Sequence, residues 1–207
     1  METDTRIFDD IIRNELIHTC SSEDLSISNG RMGLTLFLFL YFRRTGKQLH
    51  EDIAGELLDD ICGDLHTSLP IGFQNGLCGI GWGIEYLIQN LFIEESENIL
   101  EDIDLKIMDR DIRRIKDFSL ETGLEGIAWY FLLRANTSRN GNILDKNYQK
   151  DLFETCEKQK DQLSDALLSF ITNRNTSKYP FKSILDRILP NEEETLSWKN
   201  GLKKLIL

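Results

Sequence analysis

The side chains that could bind a metal or attack an electrophile are four cysteines and three histidines. They are Cys20, Cys62, Cys78 and Cys156, and His18, His50 and His66. No two cysteines form a Cys-x-x-Cys pair and no two histidines stand four residues apart, so the sequence has no local zinc motif. This isolated spacing also does not suit a disulfide framework, and we expect reduced thiols.

Two carboxylates, Glu85 and Glu125, are candidates for acid–base chemistry because each lies in or beside a long apolar run. A buried carboxyl has a raised pKa, which is common at functional sites, and a pair of carboxylates is the catalytic group of glycoside hydrolases. The alternative is that both carboxylates face water, because charged side chains are rarely buried without partners. We expect them to face water.

Three related segments occur in the chain. Glu125 lies within the third of them, and Glu85 follows shortly after the second. The segments are Asn29-Gly30-Arg31-Met32-Gly33-Leu34, Asn75-Gly76-Leu77-Cys78-Gly79-Ile80 and Thr122-Gly123-Leu124-Glu125-Gly126-Ile127. Their first glycines are 46 and then 47 residues apart, a period typical of helical repeats. Glycines three residues apart share one part of a helix surface, so they let another backbone or a ligand approach closely.

Each segment continues into a run that is apolar nearly all round, over residues 34–40, 80–88 and 127–133. Such helices are buried on most sides. A segment with one apolar face follows each run, over residues 54–65, 99–107 and 152–171, and this spacing predicts half-exposed outer helices. The sequence therefore predicts an all-α fold of about three inner and outer helix pairs.

We expect one domain over residues 1–207, with repeats at about 25–70, 71–117 and 118–172. Apolar stripes at the two ends predict terminal helices over residues 5–18 and 191–206. The segment from Arg110 to Lys116 is a local basic cluster in an acidic chain. It is either a solvated helix face, which we favour, or a contact for an acidic partner segment.

The repeated Gly-x-x-Gly before an apolar inner helix, each followed by an amphipathic outer helix, resembles the lanthionine synthetase C-like (LanC-like) family over roughly residues 25–171. That resemblance implies a double-layered α/α toroid, here partial. In active members of the family, Cys and His residues immediately before the glycines hold zinc, and a peptide thiol attacks a dehydroamino acid. The corresponding residues here are Asn29, Asn75 and Thr122, which are poor zinc ligands, so we expect no zinc.

Eight residues are candidates for binding. They are Asn29, Asn75, Cys78, Trp82, Glu85, Thr122, Glu125 and Trp129. Cys78 occupies a motif position where the family usually has a small residue, so we expect it to pack in the core. Trp82 and Trp129 stand at equivalent positions of two repeats, and matched aromatics of this kind are also expected in the core.

The net charge of −11 works against nucleic-acid binding, and no apolar run is long enough to span a membrane. We therefore expect a cytoplasmic protein, and we favour a monomer with a homo-oligomer as the alternative. The resemblance implies a peptide or protein partner. The resemblance implies a non-catalytic component of a peptide-modification (lanthipeptide or natural-product) system. The alternatives are a lanthionine cyclase completed by a partner protein, or an α/α-toroid carbohydrate enzyme using Glu85 and Glu125.

Overall fold

A computed structural model describes residues 12, 16, 22–94, 97–135, 144–173, 178–189 and 197–206, without the side chains of residues 97–99. Over these ranges the chain forms nine α-helices, two short 3-10 helices and no strand. The prediction of an all-α fold is confirmed. None of the helices among these residues is both long and apolar enough to cross a membrane.

The chain divides into two compact units. Unit one comprises Met1–Leu65 and Pro180–Leu207, and unit two comprises His66–Tyr179. The helices of unit one are α1 (Arg31–Thr45), α2 (Gln48–Asp64), α8 (Phe181–Ile188) and α9 (Trp198–Leu205). Those of unit two are α3 (Leu77–Gln89), α4 (Glu97–Met108), α5 (Leu124–Ala135), α6 (Lys146–Lys158) and α7 (Asp165–Asn173). The expectation of a single domain stays a prediction.

In unit one, α1 and α2 form an inner and outer helix pair. Every residue from Arg31 to Tyr41 in α1 is buried, whereas α2 buries one face. Residues on that face are Ala54, Leu57, Leu58 and Ile61, at the spacing the sequence predicts. The connection between them is short because Gly46 ends α1 in the left-handed conformation, with φ of 68°.

The terminal helices are described only in part. Ile12 and Leu16 are helical, and the rest of the predicted helix over residues 5–18 lies outside the described residues. The last helix begins at Trp198, where the Ser197 hydroxyl accepts from the Lys199 backbone N–H at 3.2 Å. Residues 191–196 of the predicted span lie outside the described residues. Helix α8 was not predicted from the sequence.

In unit two, α3 and α5 are the predicted inner helices, and α4 is the predicted second outer helix. Every residue from Leu77 to Ile88 is buried in α3, and in α5 burial extends from Leu124 to Arg134. The basic segment after α4 is not an α-helix, contrary to the solvated helix face that we favoured. It contains a 3-10 turn at Ile112–Arg114, where the Asp111 carboxylate accepts from the Arg113 backbone N–H at 3.1 Å.

The third outer segment is not one continuous helix. Helix α6 ends at Lys158, a 3-10 turn spans Lys160–Gln162, and α7 begins at Asp165. The break occurs because Ser164 caps α7, accepting from the Leu167 N–H at 3.3 Å, and also donates to Glu125 at 2.5 Å. Leu163, Leu167 and Phe170 are still buried, so the predicted apolar face is retained.

The three inner helices begin in the same way. The first helical N–H donates to a carbonyl oxygen seven residues earlier, from Arg31 to Asp24, Leu77 to Pro70 and Leu124 to Asp117, at 2.8, 2.8 and 2.9 Å. We call residues 24–30, 70–76 and 117–123 the first, second and third entry loops. A buried apolar residue stands fourth in each loop, namely Ile27, Phe73 and Leu120.

The first glycine of each Gly-x-x-Gly segment packs against its own entry loop. A Cβ atom on Gly30, Gly76 or Gly123 would lie 2.2, 2.0 or 2.4 Å from the loop's first carbonyl oxygen. The φ angles of Gly30 and Gly76 are −107° and −155°, which any residue adopts. Glycine is therefore needed for close approach, as the sequence predicts, and the backbone that approaches is the loop immediately before the helix.

Candidate functional site

In unit two, the second and third entry loops are joined to each other. The backbone N–H groups of Phe73 and Gln74 donate to the Glu121 carbonyl oxygen at 2.8 and 2.9 Å. This pairing brings the loop ends that carry Asn75 and Thr122 to one surface, where both residues are exposed. Asn29, at the end of the first entry loop in unit one, is also exposed.

The end of the third entry loop is held by hydrogen bonds. The Thr122 hydroxyl donates to Asp117 at 2.5 Å, and the Asp117 carboxylate also accepts from the Ser119 backbone N–H at 2.9 Å. These bonds, the one from Thr122 above all, hold the pKa of Asp117 below its usual range. Asp117 is therefore an anion at neutral pH whose oxygens are already occupied.

The residues at the family's ligand positions do not fit zinc. Zinc in proteins takes thiolate, imidazole or carboxylate ligands, usually three or four, and Asn29, Asn75 and Thr122 supply amides and a hydroxyl. Across the part of the chain that the structure describes, no three His, Cys, Asp or Glu side chains come together as a metal site.

Cys78 is a core residue of α3. Its side chain is 0% exposed, and burial raises the pKa of the thiol well above its usual value. Cys156 is also buried, and burial together with the Glu125 charge raises the pKa of its thiol to about 12. Neither thiol has the lowered pKa of a reactive cysteine, which agrees with the packing role expected for Cys78.

We expect Cys78 and Cys156 to resist N-ethylmaleimide in the folded protein and to react only after denaturation. Cys62 is partly exposed, so it serves as the internal comparison, although burial and Asp59 raise its pKa. Peptide mapping by mass spectrometry measures the modified fraction of each cysteine at neutral pH. Labelling of Cys78 as fast as that of Cys62 would contradict its place in the core.

Glu85 and Asp104 share one arginine in the core of unit two. Arg134 bonds to Glu85 at 2.9 Å and to Asp104 at 2.6 Å, and the Tyr130 hydroxyl donates to Asp104 at 2.7 Å. Both carboxylate side chains are 0% exposed. Burial raises the pKa of Asp104, although the bonds from Arg134 and Tyr130 act in the opposite direction.

Glu125 is buried in a separate set of contacts. One of its carboxylate oxygens accepts from the Trp129 indole N–H at 3.2 Å and from the Ser164 hydroxyl at 2.5 Å. The expectation that Glu85 and Glu125 face water is therefore wrong, since they are 0% and 3% exposed. The reason is that each carboxylate has hydrogen-bond donors beside it, Arg134 for Glu85 and Trp129 and Ser164 for Glu125, which offset the cost of burial.

The two matched tryptophans are core residues, as the sequence predicts. The Trp82 indole N–H donates to the Tyr179 hydroxyl at 3.0 Å, and that hydroxyl donates to the Trp129 carbonyl oxygen at 2.6 Å. Trp82 and Trp129 are 0% and 1% exposed. They therefore tie α3 to α5 through Tyr179 and do not form a surface platform for a ligand.

The eight candidates thus fall into two groups. Three are exposed at the ends of entry loops, and the other five are buried in α3 and α5. The buried carboxylates have separate partners and no exposed surface for a sugar, so the geometry does not favour glycoside hydrolysis. Of the eight candidates, only the three exposed residues at the loop ends can therefore contact a ligand at the protein surface.

Sequence reasoning missed two features of this region. One is Arg134, the cation that allows two carboxylates to be buried, and its place eleven residues after Gly123 gave no signal because its partners lie on other helices. The other is the entry loop, which does have a signal. Asp24-x-Ser26 and Asp117-x-Ser119 precede the glycines at the same spacing, and in both pairs the aspartate accepts from the serine N–H.

Comparison with known proteins agrees with this architecture. No curated protein matches the sequence. The family described as lanthionine synthetase C-like protein matches residues 21–183, a range that contains all three entry loops and all three inner and outer helix pairs. With most of the sequence matched and the three inner helices in place, the chain belongs to the lanthionine synthetase C-like family.

Proposed function

We propose that this chain is a non-catalytic member of its family that binds a peptide or a partner enzyme in a peptide-modification system. The observation that carries the proposal is the identity of the three exposed loop-end residues, Asn29, Asn75 and Thr122. They stand where active relatives hold zinc, and their side chains donate and accept hydrogen bonds without being zinc ligands.

The chemistry of the surrounding residues supports binding over catalysis. The buried thiols are protonated at neutral pH because burial raises their pKa, so they do not supply a nucleophile. The carboxylates of Glu85 and Glu125 are held by Arg134, Trp129 and Ser164. The free thiols of Cys62, Cys78 and Cys156 suit a reducing compartment and support the proposal of a cytoplasmic protein.

A synthetic peptide with one cysteine and one dehydroalanine separates binding from cyclisation. We expect the protein to bind a fluorescent form of this peptide in anisotropy titrations, and to leave the cysteine free, as measured by alkylation and mass spectrometry. After dialysis we expect far less than one zinc per chain by elemental analysis. Peptide binding and the free cysteine should both be unchanged when equimolar zinc is added.

A bulky substitution at a loop end tests where the peptide binds. We expect Asn75→Trp to weaken binding about tenfold, or roughly 1.4 kcal/mol, and Asn147→Trp, at an exposed position of α6, to leave it unchanged. Absence of binding to the parent protein would overturn the proposal. Zinc-dependent loss of the free cysteine would instead establish the cyclase alternative.

A further inference from the structure

A groove on unit two is formed by the basic segment that follows α4. We call it the basic groove, and it has a volume of about 450 Å³. Its walls are Arg110, Asp111, Arg114, Ile115, Lys116 and Asp117. Because Asp117 is also the first residue of the third entry loop, the groove adjoins the loop end that carries Thr122.

The cations of the groove are more available than its anions. Asp111 accepts from Arg113 at 3.0 Å and lies 3.3 Å from Arg114, so two guanidinium groups share one carboxylate. Asp117 is occupied by Thr122 and Ser119. Arg110 and Lys116 are exposed, and neither forms an ion pair with any residue that the structure describes.

The size and surroundings of this cationic surface decide which anion suits it. The Debye length at physiological salt is about 8 Å, so a ligand confined to the groove experiences its three cations and two carboxylates more than the distant acidic surface. A long polyanion would extend beyond the groove and meet a chain with a net charge of −11. Charge complementarity therefore favours a short acidic segment over nucleic acid.

We propose that the basic groove binds a short carboxylate-rich segment of a peptide or protein partner. Arg110 and Lys116 bind its carboxylates. Arg114 is a third cation beside them, and it also pairs with Asp111. This inference rests on the proposed binding function and adds the chemistry of the partner. A segment bound in the groove would lie beside the third entry loop, because the groove residue Asp117 bonds to Thr122.

The test uses a fluorescein-labelled peptide with four consecutive glutamates between Gly-Ser ends, and the same peptide with glutamines as the control. We expect the folded full chain to bind the glutamate peptide and not the glutamine peptide. The double variant Arg110→Gln, Lys116→Gln is expected to bind about tenfold more weakly. The matched variant Lys158→Gln, Lys160→Gln changes the net charge equally at exposed positions of unit two and is expected to bind as the parent does.

Three outcomes would contradict the proposal that the basic groove binds an acidic segment. The first is that the glutamate peptide does not bind, and the second is that the two double variants weaken its binding equally. The third is that a labelled single-stranded oligonucleotide binds more tightly than the peptide. Circular dichroism of each variant shows whether it is folded as the parent is. If the glutamate peptide does not bind and the cysteine–dehydroalanine peptide still binds, the proposal for the groove is wrong and the proposed function stands. If neither peptide binds, both proposals are wrong.

Discussion

Replacing Gly30 by alanine is expected to lower the free energy of unfolding by about 3 kcal/mol or more. The new Cβ would lie 2.2 Å from the Asp24 carbonyl oxygen and 2.4 Å from the Ser26 backbone nitrogen. Both are backbone atoms of the first entry loop, so the contact is not relieved by a side-chain rotation. The loop would have to move, which breaks the bond from the Arg31 N–H to the Asp24 oxygen.

Gly55 is the matched control in the same unit. It lies within α2, and a Cβ added there would meet nothing within 4 Å. Because glycine costs a helix interior about 1 kcal/mol relative to alanine, Gly55→Ala is expected to stabilise the protein. Thermal melts followed by far-UV circular dichroism should show a melting temperature for Gly30→Ala that is roughly 6–12 °C below that of the parent. Equal melting temperatures for both variants would show that the entry loop is not closed against Gly30.

Replacing Arg134 by methionine is expected to destabilise unit two by about 3–5 kcal/mol. The substitution leaves the carboxylates of Glu85 and Asp104 buried without the guanidinium that bonds to both. Arg113→Met is the matched control, because Arg113 is exposed where it pairs with Asp111 and Asp151. Urea unfolding followed by tryptophan fluorescence should separate the two variants, with Arg113→Met close to the parent.

The pH dependence of the Arg134→Met variant has a definite sign. Burial already raises the pKa of Asp104, and loss of the bonds from Arg134 would raise it further. A group whose pKa is raised in the folded state contributes stability below its unfolded pKa, about 4, and loses it as the pH rises through the folded value. The deficit relative to the parent should therefore shrink as the pH falls from 7 toward 4. A deficit that grows over this range would exclude an uncompensated buried carboxylate.

The periodicity of apolar residues in the sequence was sufficient to predict the main helices. The inner helices are apolar all round and the outer ones on one face, so α1 to α5 were predicted where the structure has them. Helix α8 was missed although Ile184, Leu185 and Ile188 carry a helical spacing, because the segment 181–188 has fewer than three turns. The break between α6 and α7 was missed because it depends on Ser164 bonding to Glu125, a contact between distant parts of the sequence.

The candidate residues were predicted less well than the helices. The sequence identified Cys78, Trp82 and Trp129 as core residues, since residue type and repeat position are enough for that inference. It placed Glu85 and Glu125 in water because the general rule about buried charge considers a residue alone. Their burial depends on donors distant in the sequence, Arg134 for Glu85 and Ser164 for Glu125. Such partners become visible only when the packing is known.

The entry loops have a consequence for how this family can change over evolutionary time. Each loop is closed by main-chain bonds and by a glycine that admits the carbonyl oxygen, as at Gly30 and Gly76. The Asn29 amide donates to the Ser28 hydroxyl at 3.3 Å, but the bonds and the glycine contacts that close the loop use main-chain atoms. These main-chain contacts do not depend on which side chain stands at residue 29 or 75. The side chain at a loop end can therefore change in type while the helix that follows keeps its starting point.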